Sequence, residues 1–129
     1  MTEKLSSMAP AVLSLVRLVA GLIFMEHGLQ KLAGFPPTEN TWEAFSLSWV
    51  AGCFELACGA LIALGLFTRP AAFLASGVMA FAYWIAHAPR DFFPVNNGGD
   101  AAILYCFLFL YLVFAGAGPA SLDAMRGRA

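Results

Sequence analysis

The sequence predicts an all-α integral membrane protein: one antiparallel bundle of four transmembrane helices formed by residues 1–129, with the N and C termini both cytoplasmic. Three observations carry that expectation. Of the 129 residues 60% are hydrophobic and only 12% charged, and the mean hydropathy of +0.76 exceeds what a soluble domain of this length tolerates. The apolar residues are gathered into four long stretches, each near the roughly 20 residues that cross about 30 Å of hydrocarbon. Three short polar breaks separate the stretches. In lipid, a helix is the open-chain structure that satisfies every backbone N–H and C=O within its own segment.

The first helix is expected over about Met8 to Leu32, ended by Gly34, Pro36 and Pro37, residues that stop helices. It carries Arg17 within its apolar run and continues into Glu26-His27-Gly28 where a secretory leader would present a small-residue cleavage site, so it is expected to stay attached. The second helix spans about Trp42 to Phe67. Thr68-Arg69-Pro70 then makes a tight turn, with Pro70 suited to the first position of a third helix reaching His87; so short a link makes the second and third helices antiparallel neighbours. The break Ala88 to Gly99 contains Pro89, Pro94 and Asn96-Asn97-Gly98-Gly99, and its Phe92-Phe93 pair is apolar enough to dip into the interface. Asp100 is a natural N-cap for the fourth helix, about Ala101 to Ala117, after which Gly118-Pro119 opens a short tail. Lys4, Arg69, Arg126 and Arg128 fall on one side of such a bundle and Lys31 and Arg90 on the other. That four-to-two bias is expected to place both termini in the cytoplasm of a multi-pass protein of the inner-membrane type.

Charge and motif content exclude several functions. A net charge of −1 without any basic cluster gives no means of neutralising phosphates, so nucleic acid is not an expected partner. Cys53, Cys58 and Cys106 are odd in number, lie in apolar stretches and show no CxxC or zinc-type spacing; they read as small apolar side chains. No nucleotide loop, nucleophile elbow or HExxH is present, nor any motif for a flavin, haem or iron–sulfur cluster, so no cofactor is expected in the chain itself.

Ionisable groups inside the membrane cost at least about 2.5 kcal/mol each at its centre and need a partner or a function. Arg17 and Glu55 are two such groups, expected at similar depths on facing helices and therefore as an ion pair. Such a pair serves either to fix helix register or to form the charged floor of a ligand cavity. Arg17, Gly21, Phe24, Gly28 and Lys31 share one stripe of the first helix, and Gly52, Glu55 and Gly59 share a face of the second. Gly21, Gly28, Gly52 and Gly59 are accordingly expected to let the two helices approach closely. Towards the non-cytoplasmic end, Glu26, His27, Gln30 and Lys31 accompany Tyr83 and His87. His27/Lys31 and Tyr83/His87 are each i,i+4 neighbours. These side chains are comfortable at headgroup level; two histidines there are also able to exchange protons with a quinone headgroup. Without a third ligand a metal site is not expected.

Taken in order, several passages resemble the DoxX family of small bacterial four-helix membrane proteins. They are Arg17-Leu18-Val19-Ala20-Gly21, His27-Gly28-Leu29-Gln30-Lys31-Leu32, Glu55-Leu56-Ala57-Cys58-Gly59, Gly65-Leu66-Phe67-Thr68-Arg69, Ala82-Tyr83-Trp84-Ile85-Ala86-His87, Asn97-Gly98-Gly99-Asp100 and Gly116-Ala117-Gly118-Pro119-Ala120-Ser121-Leu122-Asp123. The resemblance implies a link to thiosulfate:quinone oxidoreductase and to membrane redox or oxidative-stress complexes. The expectation for function is a small membrane subunit of a redox system, working with a partner oxidoreductase. Its cavity of Arg17, Glu55, Tyr83, His87 and His27 would receive a quinone or similar amphiphile. Two alternatives stand beside it: a non-catalytic membrane anchor or scaffold for a redox enzyme, and a small transporter, which four short helices could form only as a homo-oligomer.

Overall fold

The structure, a computed structural model, describes residues 2–128; they are helical or irregular, with no strand among them. The elements are α1 (Thr2–Ala33), α2 (Leu47–Leu64), α3 (Thr68–Ala82, continued by a π turn over Tyr83–His87), α4 (Pro94–Asn97), α5 (Asp100–Ala115) and α6 (Leu122–Met125). Three helices are long and apolar enough to cross a membrane: Thr2–Ala33, Leu47–Leu64 and Thr68–His87. The apolar α5, 16 residues long, measures about 24 Å at 1.5 Å per residue.

Several boundaries differ from the sequence expectation, each for a local reason. α1 is already helical at Thr2, ahead of the expected Met8, and in its polar opening the Ser6 and Ser7 hydroxyls donate to the Thr2 and Lys4 carbonyls. α2 begins at Leu47 and not at Trp42. Phe45 sits at φ 63°, a conformation no helix continues through, and the Ser46 Oγ caps the new helix by accepting the Trp49 N–H at 3.2 Å. At its far end Gly65 takes φ 66°, so α2 stops at Leu64 and not at Phe67. The Leu66 N–H then returns to the Leu61 carbonyl at 2.9 Å, closing the helix as glycine C-caps do. Pro70 is the third residue of α3 and not its first, and Asp100 is the first residue of α5 with no capping hydrogen bond from its side chain. The fourth apolar helix closes at Ala115, two residues before the expected Ala117. The short helices α4 and α6 had no counterpart in the sequence expectation.

Two antiparallel hairpins build the body, α1 along α2 and α3 along α5, with α2 against α3 joining them. In the first, Gly21 faces Ala63, Gly59 faces Met25 and Gly28 faces Leu56, numbers that rise along one helix as they fall along the other. In the second, Arg69 meets Val113 and Phe114, Ser76 meets Cys106, and Tyr83 meets Gly99. The α1–α2 seam is a backbone-to-backbone approach. A Cβ on Gly21 would lie 2.5 Å from the Ala63 nitrogen, one on Gly59 2.6 Å from the Met25 nitrogen, and one on Gly52 2.9 Å from the Lys31 Cβ. The hairpins close through an aromatic cluster in which the Phe24 ring lies 4.8 Å from Phe109 and 5.6 Å from Tyr105, with Ile62, Ala72, Ala75, Phe109 and Leu112 fully buried around it. Outside this core Leu15, Leu22, Phe73, Phe81, Leu104, Phe107 and Phe114 face outward and exposed, which is stable where the surrounding solvent is lipid.

Candidate functional site

At one end of the molecule the polar groups serve to tie the chain together. Arg17 is 2% exposed, and its guanidinium meets carbonyls and no carboxylate. Nε donates to Ala117 O at 2.8 Å, Nη1 to Ile62 O at 2.6 Å and to Ala63 O, and Nη2 to Ala120 O at 2.6 Å. A guanidinium has five donors in a planar fork, and this one satisfies the last carbonyls of α2 while pinning the segment that follows α5. The tail is docked as far as Asp123: the Ala120 N–H donates to the Ser14 Oγ and the Asp123 N–H to the Gly65 carbonyl. The Asp123 carboxylate accepts the Phe67 and Thr68 N–H groups at 3.0 and 2.9 Å, capping α3 from 55 residues away. Burial works against its charge, yet those donors and the Arg126 cation outweigh burial and hold the Asp123 carboxyl below the usual carboxylate range. Arg69 gives α5 the matching C-terminal cap, donating to Val113 O and Phe114 O.

The opposite end is hollow. A cavity of about 490 Å³ lies between the C-terminal half of α1, the N-terminal half of α2, the C-terminal end of α3 and the start of α5. That volume falls in the range of small-molecule sites. Its wall is mainly apolar, including Val50, Phe54, Val78, Ile85 and Ala102, and into it come His27 and Lys31 from α1, Glu55 from α2, His87 from the π turn and Tyr105 from α5. Lys31 Nζ donates to Glu55 Oε1 at 2.7 Å. The carboxylate side chain is 3% exposed and the lysine 20%. Glu55 Oε2 is buried without a hydrogen-bond partner.

Two placements correct the sequence reading. Glu55 pairs with Lys31 and not with Arg17, and Arg17 stands at the other end of the molecule, away from the cavity. The cause is register. The glycine seam sets Gly28 against Leu56 and Gly21 against Ala63, so Glu55, ninth of the 18 residues of α2, falls beside the last turns of α1 that carry Lys31, whereas Arg17 lies where α2 finishes. Tyr83 also lies outside the cavity wall, although His87 is within it. The two residues share the wider turn in which the Ala88 N–H returns five residues to the Tyr83 carbonyl at 2.8 Å. Tyr83 packs at Gly99 and receives the Asn97 Nδ2 at 3.4 Å.

Behind His87 sits a network that sequence reasoning did not find. Asn97 is 2% exposed. Its Oδ1 accepts the Gly99 N–H at 2.8 Å, its Nδ2 donates to Asp91 O at 3.0 Å, and its own carbonyl lies 3.1 Å from His87 Nδ1. The Asn-Asn-Gly-Gly string had read as loop punctuation; the one signal available was that a polar string this long, beside a histidine on the adjoining helix, can fold back and hydrogen-bond it. Tyr105 was likewise missed, although it is the sole hydroxyl in the first two turns of an otherwise apolar helix.

The DoxX family model matches residues 12–88 of the chain. The chain is also similar to an uncharacterized protein of Haemophilus influenzae (strain ATCC 51907 / DSM 11121 / KW20 / Rd), at 42% identity over 127 residues. The match covers 94% of this chain and 95% of that protein. No solved structure matches the chain.

Proposed function

The chain belongs to the DoxX family, and from that premise we propose that it is a membrane subunit of a redox system that draws a quinone-type amphiphile from the bilayer into the cavity of His27, Lys31, Glu55, His87 and Tyr105. The protein sits in the bacterial inner membrane with α1, α2, α3 and α5 as its four spans and both termini cytoplasmic. The three long apolar helices, the apolar α5 antiparallel to α3, and the gathering of Lys4, Arg69, Arg126 and Arg128 at one end support that topology. Electrons come from a partner oxidoreductase, in keeping with the resemblance.

One observation carries the reading: an ion pair, Lys31–Glu55, lines an apolar cavity with one carboxylate oxygen unmatched. An ionisable group within a membrane-spanning segment that faces a cavity marks a ligand or ion path by default. Arg17 shows the contrast, since every polar atom of its head that makes contact is spent on backbone carbonyls. The apolar wall suits a ring and its hydrophobic chain, while His27, His87, Tyr105 and Glu55 offer polar contacts for the headgroup.

Native mass spectrometry of the protein purified from its own membrane tests this. A co-purifying quinone, in either redox form, that is lost in Glu55→Leu and His87→Ala supports the cavity reading. A bound protein partner with no small molecule in the wild type overturns it in favour of a scaffold.

A further inference from the structure

Resting on that reading, we infer that the cavity selects the reduced form of its ligand, with Glu55 Oε2 and the free ring nitrogen of His87 accepting hydroxyl hydrogens that only a hydroquinone carries. Three features of the wall lead there. In a salt bridge the Glu55 carboxylate accepts hydrogen bonds and donates none. Lys31 occupies Oε1, and Oε2 is buried with no partner, an arrangement that costs free energy until a donor arrives. The ligand group that meets Oε2 is therefore an O–H or N–H.

His87 supplies the second feature. Its Nδ1 lies 3.1 Å from the Asn97 carbonyl. A carbonyl can only accept, so in the neutral ring Nδ1 carries the hydrogen and the remaining nitrogen is an acceptor. The tautomer follows from the network, and the network is firm because Asn97 is buried and engaged at both side-chain polar atoms. Glu55 on α2 and His87 at the end of α3 both line the cavity, and each brings one acceptor that a turn of its side chain offers to a ligand.

The third feature is the ligand pair itself. A quinone has two ring carbonyls and no ring donor; its hydroquinone has two hydroxyls in their place. Against Glu55 a carbonyl sets lone pairs against a carboxylate, whereas a hydroxyl makes a charge-assisted hydrogen bond. His27 and Tyr105 also line the cavity and can donate or accept, so they discriminate neither form.

The experiment compares anaerobic binding of decylubiquinol and decylubiquinone to the full chain in lipid nanodiscs, with Glu55→Gln alongside. The hydroquinone is expected to bind at least about tenfold tighter, the ratio that one hydrogen bond to a charged group supports. In Glu55→Gln the amide can donate as well as accept, so the preference falls towards unity with quinone binding retained. Equal affinities in the wild type, or tighter quinone binding, overturn the inference and leave the proposed function standing. Binding of neither form overturns both. A preference that survives in Glu55→Gln removes Glu55 from the role. The wild-type comparison decides the question even where the variant does not fold.

Discussion

Replacing Arg17 by leucine removes four hydrogen bonds from the end of the molecule opposite the cavity. The Ile62 carbonyl keeps the Gly65 N–H as a partner at 3.0 Å, but the buried Ala117 carbonyl loses the one donor it has among the described residues. One stranded buried acceptor costs about 1–3 kcal/mol, and the half-buried Ala63 carbonyl adds part of that, the exposed Ala120 carbonyl little. Relief from burying a guanidinium offsets some of the loss, leaving a destabilisation of about 3 kcal/mol. The informative quantity is coupling. Glu55 lies seven residues from Ile62 along α2, about 10 Å at 1.5 Å per residue, so Arg17→Leu and Glu55→Leu should add to within about 0.5 kcal/mol. Lys31→Met and Glu55→Leu should instead couple by about 2 kcal/mol, because removing the lysine alone strands a buried carboxylate and removing both does not. Unfolding in mixed micelles on titration with dodecyl sulfate, followed by tryptophan fluorescence, reads all six proteins. Coupling above about 1 kcal/mol for the Arg17 pair, with none for the Lys31 pair, would refute the placement of both charges.

Gly28→Ala and Gly59→Ala should each destabilise by about 1–3 kcal/mol through overpacking against backbone, whereas Gly77→Ala, whose new Cβ meets nothing within 4 Å, should be neutral or stabilising by up to about 1 kcal/mol; the same titration distinguishes them. Asp123 titrates below the usual carboxylate value when folded. Its contribution is therefore present above about pH 4 and is lost as pH falls through the folded value. Unfolding midpoints of the wild type should drop on that acid limb, and those of Asp123→Asn should start lower and fall less. Asn97→Ala removes the nearer of the two acceptors of the Gly99 N–H, leaving the Pro94 carbonyl at 3.3 Å, and the donor to the Asp91 carbonyl; it should cost about 1–2 kcal/mol, with ligand affinity weakened through His87 and read by the nanodisc binding assay.

How much of this was legible in the sequence is best seen at particular residues. The glycine stripes were readable as close-approach faces because spacing of three and four residues puts them on one line of each helix, and no tertiary information is needed for that. The Lys31–Glu55 pair was within reach of the same data, since the α1 and α2 glycine stripes, laid antiparallel, bring residue 28 opposite 52 and 56. The depth argument that matched Arg17 to Glu55 left out the register of the seam, in which Gly21 meets Ala63 and Gly28 meets Leu56, so that Lys31 and not Arg17 falls beside Glu55. Asp123 was quoted as part of a motif and given no role, because an N-cap supplied from 55 residues downstream leaves no local trace.

By itself the sequence determined what lipid demands: long apolar helices between short polar breaks, a local consequence of the backbone's need for hydrogen bonds in a medium that offers none, with glycine faces that follow from helical spacing and a bias of basic residues. The tertiary structure decided which charge meets which. Ion pairing depends on the register between helices to within a turn, and that register is set jointly by where each helix is capped and how closely the glycine seam lets α1 and α2 approach. The same register leaves Arg17 buried among carbonyls at one end and Glu55, with one oxygen unmatched, at the wall of a cavity at the other.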